Sequence, residues 1–154
     1  MEFLKYIGIE KNIEDILKTE FTKFNGKKIY LDFLCKLDDG TLCHIEFQFP
    51  YAKPKDMPRF FDYNLTAHVV HDETTDTYVV NFTSRKYEGK WFNIGKSKRF
   101  RTINIFLGDM DFKTHLNMIK DKVKSNINLN SSDEIDLMIM CLIPEYKNKF
   151  DILK

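Results

Sequence analysis

Apolar side chains in the first part of the chain follow the spacing of an amphipathic helix. Between residues 13 and 24 they recur three and four positions apart, which predicts a first helix with Asn12 as its capping residue. Glu20 falls near the middle of the apolar stripe. A carboxylate there is costly to desolvate unless it meets a cation, a metal or a hydrogen-bond donor.

The pattern then changes to the alternation that is typical of strands. Residues 28–37 and 41–49 are two such runs, separated by Asp38-Asp39-Gly40. Glycine in the third loop position supplies the positive φ that a three-residue hairpin loop needs. We therefore predict an antiparallel hairpin over residues 28–49.

Further elements of both kinds are predicted in the rest of the chain. Residues 59–71, after Pro58, are apolar on nearly every side, which predicts a helix packed against a sheet. The other predictions are strands at 77–83, 102–107 and 135–143, a second hairpin or loop at 85–101, and a helix that starts at Asp109 or Asp111. This order predicts one α/β domain over residues 1–154, with a central mixed sheet flanked by helices.

Composition narrows the class of protein. Of the 154 residues, 43% are hydrophobic, including 14 Phe and 7 Tyr, which excludes a disordered chain. No apolar run reaches the length of about 18 residues that a membrane helix needs. We expect no membrane association and a cytoplasmic location. The net charge of +1 indicates nothing about partners, because basic and acidic residues cluster in different stretches.

The predicted hairpin brings two acids together. With Asp38-Asp39-Gly40 as its loop, Asp32 lies directly opposite Glu46, and Gln48 projects from the same face. A two-residue turn would place Asp32 opposite Phe47 instead, among core residues. His44 shares the face of Glu46 and could contribute to the site, but we favour the interpretation of a solvent-facing strand histidine. The opposite, apolar face is expected to enter the core and carries Leu31, Phe33, Ile45, Phe47 and Phe49.

Opposed carboxylates repel each other, since their Cβ atoms lie only about 5 Å apart. A cation between Asp32 and Glu46 would relieve the repulsion. Mg²⁺ suits this position, because it takes oxygen ligands, needs one or two carboxylates and keeps several waters. An ordinary hairpin whose polar face meets water is the alternative interpretation.

Asp32, a short turn and then Glu46-Phe47-Gln48 resemble the D-(x)n-(D/E)-x-K core of PD-(D/E)xK nucleases. More narrowly, residues 25–48 resemble the family of recombination-promoting, transposase-related nucleases, whose members carry E-x-Q. The resemblance implies a restriction-endonuclease-like core and a metal-dependent endonuclease that hydrolyses phosphodiester bonds in DNA. It also implies a link to mobile elements or recombination.

The resemblance further implies roles for individual residues. Asp32, Glu46 and a first-helix glutamate, here Glu20, would hold Mg²⁺ or Mn²⁺, and Gln48 would orient the attacking water where the commoner residue is lysine. Arg59 and Tyr63, four apart on the second helix, resemble the Arg and Tyr that follow the E-x-Q strand. Superfamily members that cut two strands act in pairs, so a homodimer is expected by analogy.

A basic segment with interleaved aromatic residues lies between positions 85 and 101. Its basic residues, which include Lys96, Lys98, Arg99 and Arg101, could grip phosphates, and its interleaved aromatic residues could stack on bases. A solvated hairpin with inward-packed aromatics is the alternative. Two other classes of function stay open: a nuclease fold that no longer cuts and binds nucleic acid or protein, and a purely structural partner.

Overall fold

The computed structural model describes residues 2–23, 25–84, 91–96 and 98–147. The helices are α1 (Glu2–Tyr6), α2 (Met57–His71), α3 (Phe112–Lys124), α4 (Ser131–Leu142) and α5 (Pro144–Lys147). The strands are β1 (Ile13–Ile16), β2 (Glu20–Thr22), β3 (Lys28–Tyr30), β4 (Phe33–Leu37), β5 (Leu42–Gln48), β6 (Thr75–Asn81), β7 (Phe92–Ile94), β8 (Lys98–Phe100) and β9 (Ile103–Phe106). Short 3-10 turns precede α2 at Pro54–Asp56 and follow β9 at Leu107–Asp109.

Five strands form a central mixed sheet in the order β1-β4-β5-β6-β9. The pairs β1/β4 and β4/β5 are antiparallel, whereas β5/β6 and β6/β9 are parallel. Helix α2 makes the crossover that joins β5 to its parallel neighbour β6, as parallel pairing requires. The predicted α/β class, with a central mixed sheet and flanking helices, is confirmed.

The hairpin of β4 and β5 has the predicted register. Phe33 faces Ile45 and Leu34 faces His44, and Gly40 in the loop has a φ of 82°. The helix predicted at 59–71 is also present and begins two residues earlier, at Met57. Asp111 starts the third helix, since its side chain accepts a hydrogen bond from the backbone of Thr114.

Both faces of the sheet are covered, because alternate strand residues enter different hydrophobic clusters. Cys43 and Ile45 belong to the large cluster formed with α1, α3 and α4. Leu42 packs on the other face, against α2, together with Leu34. Phe60 of α2 is fully buried in a neighbouring cluster on that same face. Helix α2 therefore covers the face of β5 that carries His44 and Glu46.

The predicted helix at 13–24 is wrong. Those residues form strand β1, which pairs with β4 at the edge of the sheet, and strand β2, which pairs with β3. The apolar residues at 13 and 16 are β-branched isoleucines, which suit a strand, and the unpaired edge of β4 offers hydrogen bonds to it. Glu20 consequently lies on a strand and not in the middle of a helical stripe.

The predicted strand at 135–143 is also wrong, because the segment belongs to helix α4. Asn130 and Asp133 form a reciprocal capping box at its start. Asp133, Asp136, Ile139 and Met140 are buried, which is the spacing of one helical face. A short apolar run does not by itself distinguish a strand from a buried helix.

Three residues expected in the core beneath the hairpin lie elsewhere. Leu31 packs on the face covered by α2, with Leu34 and Leu42. Phe47 is 38% exposed and Phe49 is 67% exposed. Phe47 lies near the end of β5 and Phe49 beyond it. Within the described ranges, we find no helix with the length and apolar character needed to cross a membrane.

Candidate active site

Asp32 and Glu46 meet where strand β4 begins. The backbone N–H of Asp32 donates to Oε1 of Glu46 over 3.3 Å, and Oδ2 of Asp32 accepts from the backbone N–H of Phe47 over 2.8 Å. The Asp32 carboxylate thus accepts a hydrogen bond from β5 that a backbone carbonyl of the neighbouring strand would accept in a regular sheet. The hairpin register places the two acids side by side, as expected from the loop.

Glu46 is a buried carboxylate, with 2% of its surface exposed. Its Oε1 lies 3.0 Å from Nε2 of His44, and its Oε2 lies 3.9 Å from Nη2 of Arg59. A buried charge is tolerated only when it is paired or hydrogen-bonded. Glu46 therefore has a hydrogen-bond donor on one oxygen and a cation facing the other.

A buried chain of hydrogen bonds stands behind Glu46. Nδ2 of Asn64 donates to Oγ1 of Thr77 over 3.0 Å, and Oγ1 of Thr77 lies 3.1 Å from Nδ1 of His44. Each link has one donor and one acceptor when His44 carries its proton on Nε2 and donates it to Glu46. The chain ties helix α2 to strands β5 and β6 and fixes the orientation of the carboxylate.

The interpretation of His44 as solvent-facing is wrong, since the residue is fully buried. The sequence predicts a helix at 59–71 that packs against a sheet, and alternation along β5 places His44 on the same face as Glu46. These two signals together were sufficient to predict its burial. Asn64 and Thr77 carried no recognisable signal, because amide and hydroxyl residues are common in helices and strands.

Burial raises the pKa of the Asp32 carboxyl above its ordinary range, and the neighbouring Glu46 raises it further. The Phe47 N–H, Arg59 and His44 act in the opposite direction. The balance is a carboxyl that gains its charge less readily than one in water. A cation bound next to Asp32 would favour the ionised form.

Gln48 lies close to Glu46 along the chain, whereas Glu20 lies on a different sheet. Gln48 follows Glu46 by two positions on β5, and its Nε2 donates to the carbonyl of Phe47 over 2.8 Å. Glu20 instead forms an ion pair with Lys28 across the small β2/β3 sheet, and its side chain is 49% exposed. The structure does not bring Glu20 into the arrangement of Asp32 and Glu46.

Arg59 and Tyr63 project from α2 at the site. The guanidinium of Arg59 lies 5.0 Å from the ring centroid of Phe60 and 5.9 Å from that of Tyr63, and 44% of the side chain is exposed. The ring of Tyr63 lies 6.1 Å from that of His44. Burial raises the pKa of Tyr63, so its hydroxyl stays protonated at neutral pH. Arg59 therefore offers a partly solvent-accessible cation next to Glu46.

Within the basic segment, β7 and β8 form an antiparallel hairpin, which is one of the two alternatives, hairpin or loop, that the sequence predicts. Residues 85–90 and Ser97 lie outside the described residues. Phe61 of α2 holds the hairpin, with its ring 6.1 Å from that of Phe92 and 5.5 Å from that of Phe100. We call the exposed basic residues Lys96, Lys98, Arg99 and Arg101 the hairpin cations. The guanidinium of Arg101 lies 5.0 Å from the ring centroid of Trp91.

The donors at Asp32 and Glu46 suit a hard divalent cation in kind, because both are carboxylate oxygens and one is buried. Desolvation, followed by the repulsion from Glu46, raises the pKa of Asp32, and a bound cation would counter both by favouring the ionised carboxylate. Across the described residues, no group of three or more His, Cys, Asp or Glu side chains is arranged to hold a metal. A cation here would take two protein carboxylates and complete its shell with water.

Comparison of the chain with models of protein families, with curated proteins and with solved structures finds no match.

Proposed function

We propose that the chain is a divalent-metal-dependent DNA endonuclease with a restriction-endonuclease-like core of the PD-(D/E)xK type. The observation that carries the proposal is the pairing of Asp32 with the buried Glu46 at adjoining strands, beneath a helix that supplies Arg59. In an ordinary solvated hairpin, burying a carboxylate beside another acid would cost free energy without any compensating interaction. In a metal centre the bound cation would compensate the negative charges of both carboxylates.

In this proposal Asp32 and Glu46 hold Mg²⁺ or Mn²⁺. The bound cation supplies a more acidic water and stabilises negative charge at the phosphate. His44 and the Asp32 N–H keep Glu46 in one orientation before the metal binds. The amide of Gln48 orients the attacking water by a hydrogen bond, without the charge of the lysine more common at this position.

The positive groups around the site would bind the DNA backbone. Arg59 and Tyr63 line it on α2, and the hairpin cations stand on a hairpin that packs against the same helix through Phe61. Lysine and arginine contacts to phosphate supply sequence-independent affinity. A homodimer, and a link to mobile elements or recombination, rest on the family resemblance alone.

The test is cleavage of plasmid DNA with Mg²⁺ or Mn²⁺. Asp32→Asn and Glu46→Gln are expected to abolish cutting, since each removes one of the two carboxylates. Asp121→Asn and Glu134→Gln make the same chemical changes at exposed helix positions and are expected to cut like the wild type. Cleavage retained by both site variants would overturn the proposal.

A second candidate function is a nuclease fold that no longer cuts and binds nucleic acid or protein. Both oxygens of Glu46 already face protein partners, His44 and Arg59, and Gln48 brings no charge. This candidate predicts salt-dependent binding that is unchanged in Glu46→Gln and weakened when the hairpin cations are replaced. Cleavage that requires Glu46 would exclude it.

A further inference from the structure

Four phenylalanines form a continuous aromatic surface at the carboxyl end of β5 and β6. Ring centroids are 5.9 Å apart between Phe3 and Phe47, 6.3 Å between Phe47 and Phe82, and 6.2 Å between Phe82 and Phe49. Adjacent rings are tilted by 43° to 47°. We call Phe3, Phe47, Phe49 and Phe82 the aromatic row.

Partly buried and exposed rings alternate along the row. Phe3 and Phe82 are partly buried and pack against the large core cluster. Phe49 is 67% exposed, and Phe47 is 38% exposed. Exposed aromatic rings are costly to leave in water when a neighbouring core could bury them. Their arrangement in one row, made only of flat rings, favours a binding surface over scattered surface residues.

The aromatic row is adjacent to the acidic pair along β5. Phe47 follows Glu46 directly, and its backbone N–H is the donor to the Asp32 carboxylate, 2.8 Å away. Because side chains alternate along β5, Glu46 points towards α2 and Phe47 towards the opposite face. The row and the acids therefore flank the same end of β5, separated by the thickness of the strand. A DNA strand that crosses this end would meet the exposed rings of the row and the exposed Asp32, which lies in front of Glu46.

We propose that the aromatic row stacks with unpaired bases of a DNA strand whose phosphates pass Asp32 and Glu46. The preferred substrate is then single-stranded DNA, or a duplex with a single-stranded segment. This inference rests on the proposed function, because it assigns the strand's backbone to the acidic pair.

The exposed rings of the row favour unpaired bases over a duplex. Bases in a duplex are stacked about 3.4 Å apart along each strand, and their faces are covered by their neighbours. A base can therefore stack on an exposed ring such as Phe49 only after it has left the duplex stack. Aromatic side chains bind single strands in this way irrespective of sequence, since every base has a π face.

Binding to a labelled oligodeoxythymidylate of about 12 nucleotides, within the usual site size of such surfaces, tests the inference. Measured by fluorescence anisotropy in EDTA, the wild type is expected to bind the single strand more tightly than a duplex of equal length. Phe49→Leu is expected to weaken single-strand binding by about fivefold or more. Met138→Leu, at an exposed apolar residue of α4, is the matched control and should bind like the wild type.

An aromatic replacement separates stacking from simple loss of fold. Phe49→Trp keeps a flat ring and should retain affinity. The chain has one tryptophan, so Phe49→Trp combined with Trp91→Phe leaves a single tryptophan, placed in the aromatic row. Its emission should be quenched when the oligonucleotide binds. Unquenched emission with bound DNA would contradict stacking at this position.

The outcomes distinguish this inference from the proposed function. Cleavage that needs Asp32 and Glu46 but is indifferent to Phe49→Leu, or equal binding of single strand and duplex, would overturn the inference alone. Stacking without any cleavage would overturn the nuclease proposal alone. A dimer that Phe49→Leu dissociates, with DNA binding unchanged, would assign the row to contacts between copies of the chain and overturn the inference.

Discussion

Replacing His44 with leucine removes the central link of the buried hydrogen-bond chain behind Glu46. Leucine is similar in volume to histidine, so the change leaves little cavity and isolates the polar effect. Oε1 of Glu46 loses the donor at 3.0 Å and keeps the longer bond from the Asp32 N–H, whereas the hydroxyl proton of Thr77 loses its acceptor at 3.1 Å. Both groups lie in the buried interior, where water cannot replace the missing partner.

The magnitude follows from those two losses. A buried polar group without a partner costs about 1–3 kcal/mol, and a hydrogen bond to a charged group contributes about 1.5–3 kcal/mol. We therefore expect His44→Leu to lower the free energy of unfolding by about 3–5 kcal/mol. At about 2–4 °C per kcal/mol for a domain of this size, the Tm should fall by roughly 10 °C.

Urea and thermal unfolding, followed by circular dichroism, measure the effect. His68→Leu is the matched control, because His68 is exposed on α2 and its Nδ1 bonds the backbone carbonyl of Glu73. It should cost less than about 1 kcal/mol. Thr77→Val combined with His44→Leu should cost less than the sum of the single changes, since the residues share one chain of bonds. A His44→Leu protein as stable as the wild type would refute this account of Glu46.

Other consequences concern pH, a close backbone approach and salt. Because the pKa of Asp32 is raised, its contribution to stability is present below the ordinary carboxyl pKa and lost as pH rises above it. Urea unfolding should therefore show a difference in stability between Asp32→Asn and the wild type that shifts in favour of Asp32→Asn as pH rises above about 4, and a constant difference would contradict this. A methyl group at Gly108 would lie 2.2 Å from the backbone nitrogen of Ser84, so Gly108→Ala should cost at least about 1–3 kcal/mol in thermal unfolding, and a neutral effect would count against this approach. Replacing the hairpin cations with glutamine should reduce the slope of log K against log salt for DNA binding by up to about 0.7–0.9 per cation, and an unchanged slope would remove them from the interface.

The central hairpin was predictable from sequence because two local rules agree there. Glycine at the end of a three-residue loop fixes the loop type, and alternation then fixes which residues face each other. Asp32 and Glu46 consequently lie together as the register requires. Helix α2 was predictable as well, since its apolar residues extend around the helix and Pro58 marks its start.

Residues 13–24 and 135–143 were not predictable in this way, because non-local pairing decides their structure. The first segment has helical spacing but becomes β1 and β2 when the edge of β4 and strand β3 offer partners. The second has strand-like composition but becomes α4 through the cap at Asn130 and the burial of one helical face. The local propensity of a segment for helix or strand predicts its structure poorly when tertiary contacts compete with it.

The site shows the same division between local and non-local information. Alternation places Asp32, Glu46 and Gln48 on one face, but it does not reveal that Thr77 of β6 meets His44 from the neighbouring strand. The aromatic row was also missed, because an apolar residue on an alternating strand is expected to enter the core. Phe49 lies beyond the end of β5, where the core no longer covers it.

The most direct measurement of the central claim is anomalous scattering from a crystal soaked in Mn²⁺. The account predicts a peak between the carboxylates of Asp32 and Glu46 that both side chains contact, and its loss in Glu46→Gln. A well-ordered site without a peak there, or a peak that persists in Glu46→Gln, would contradict a metal centre formed by this pair.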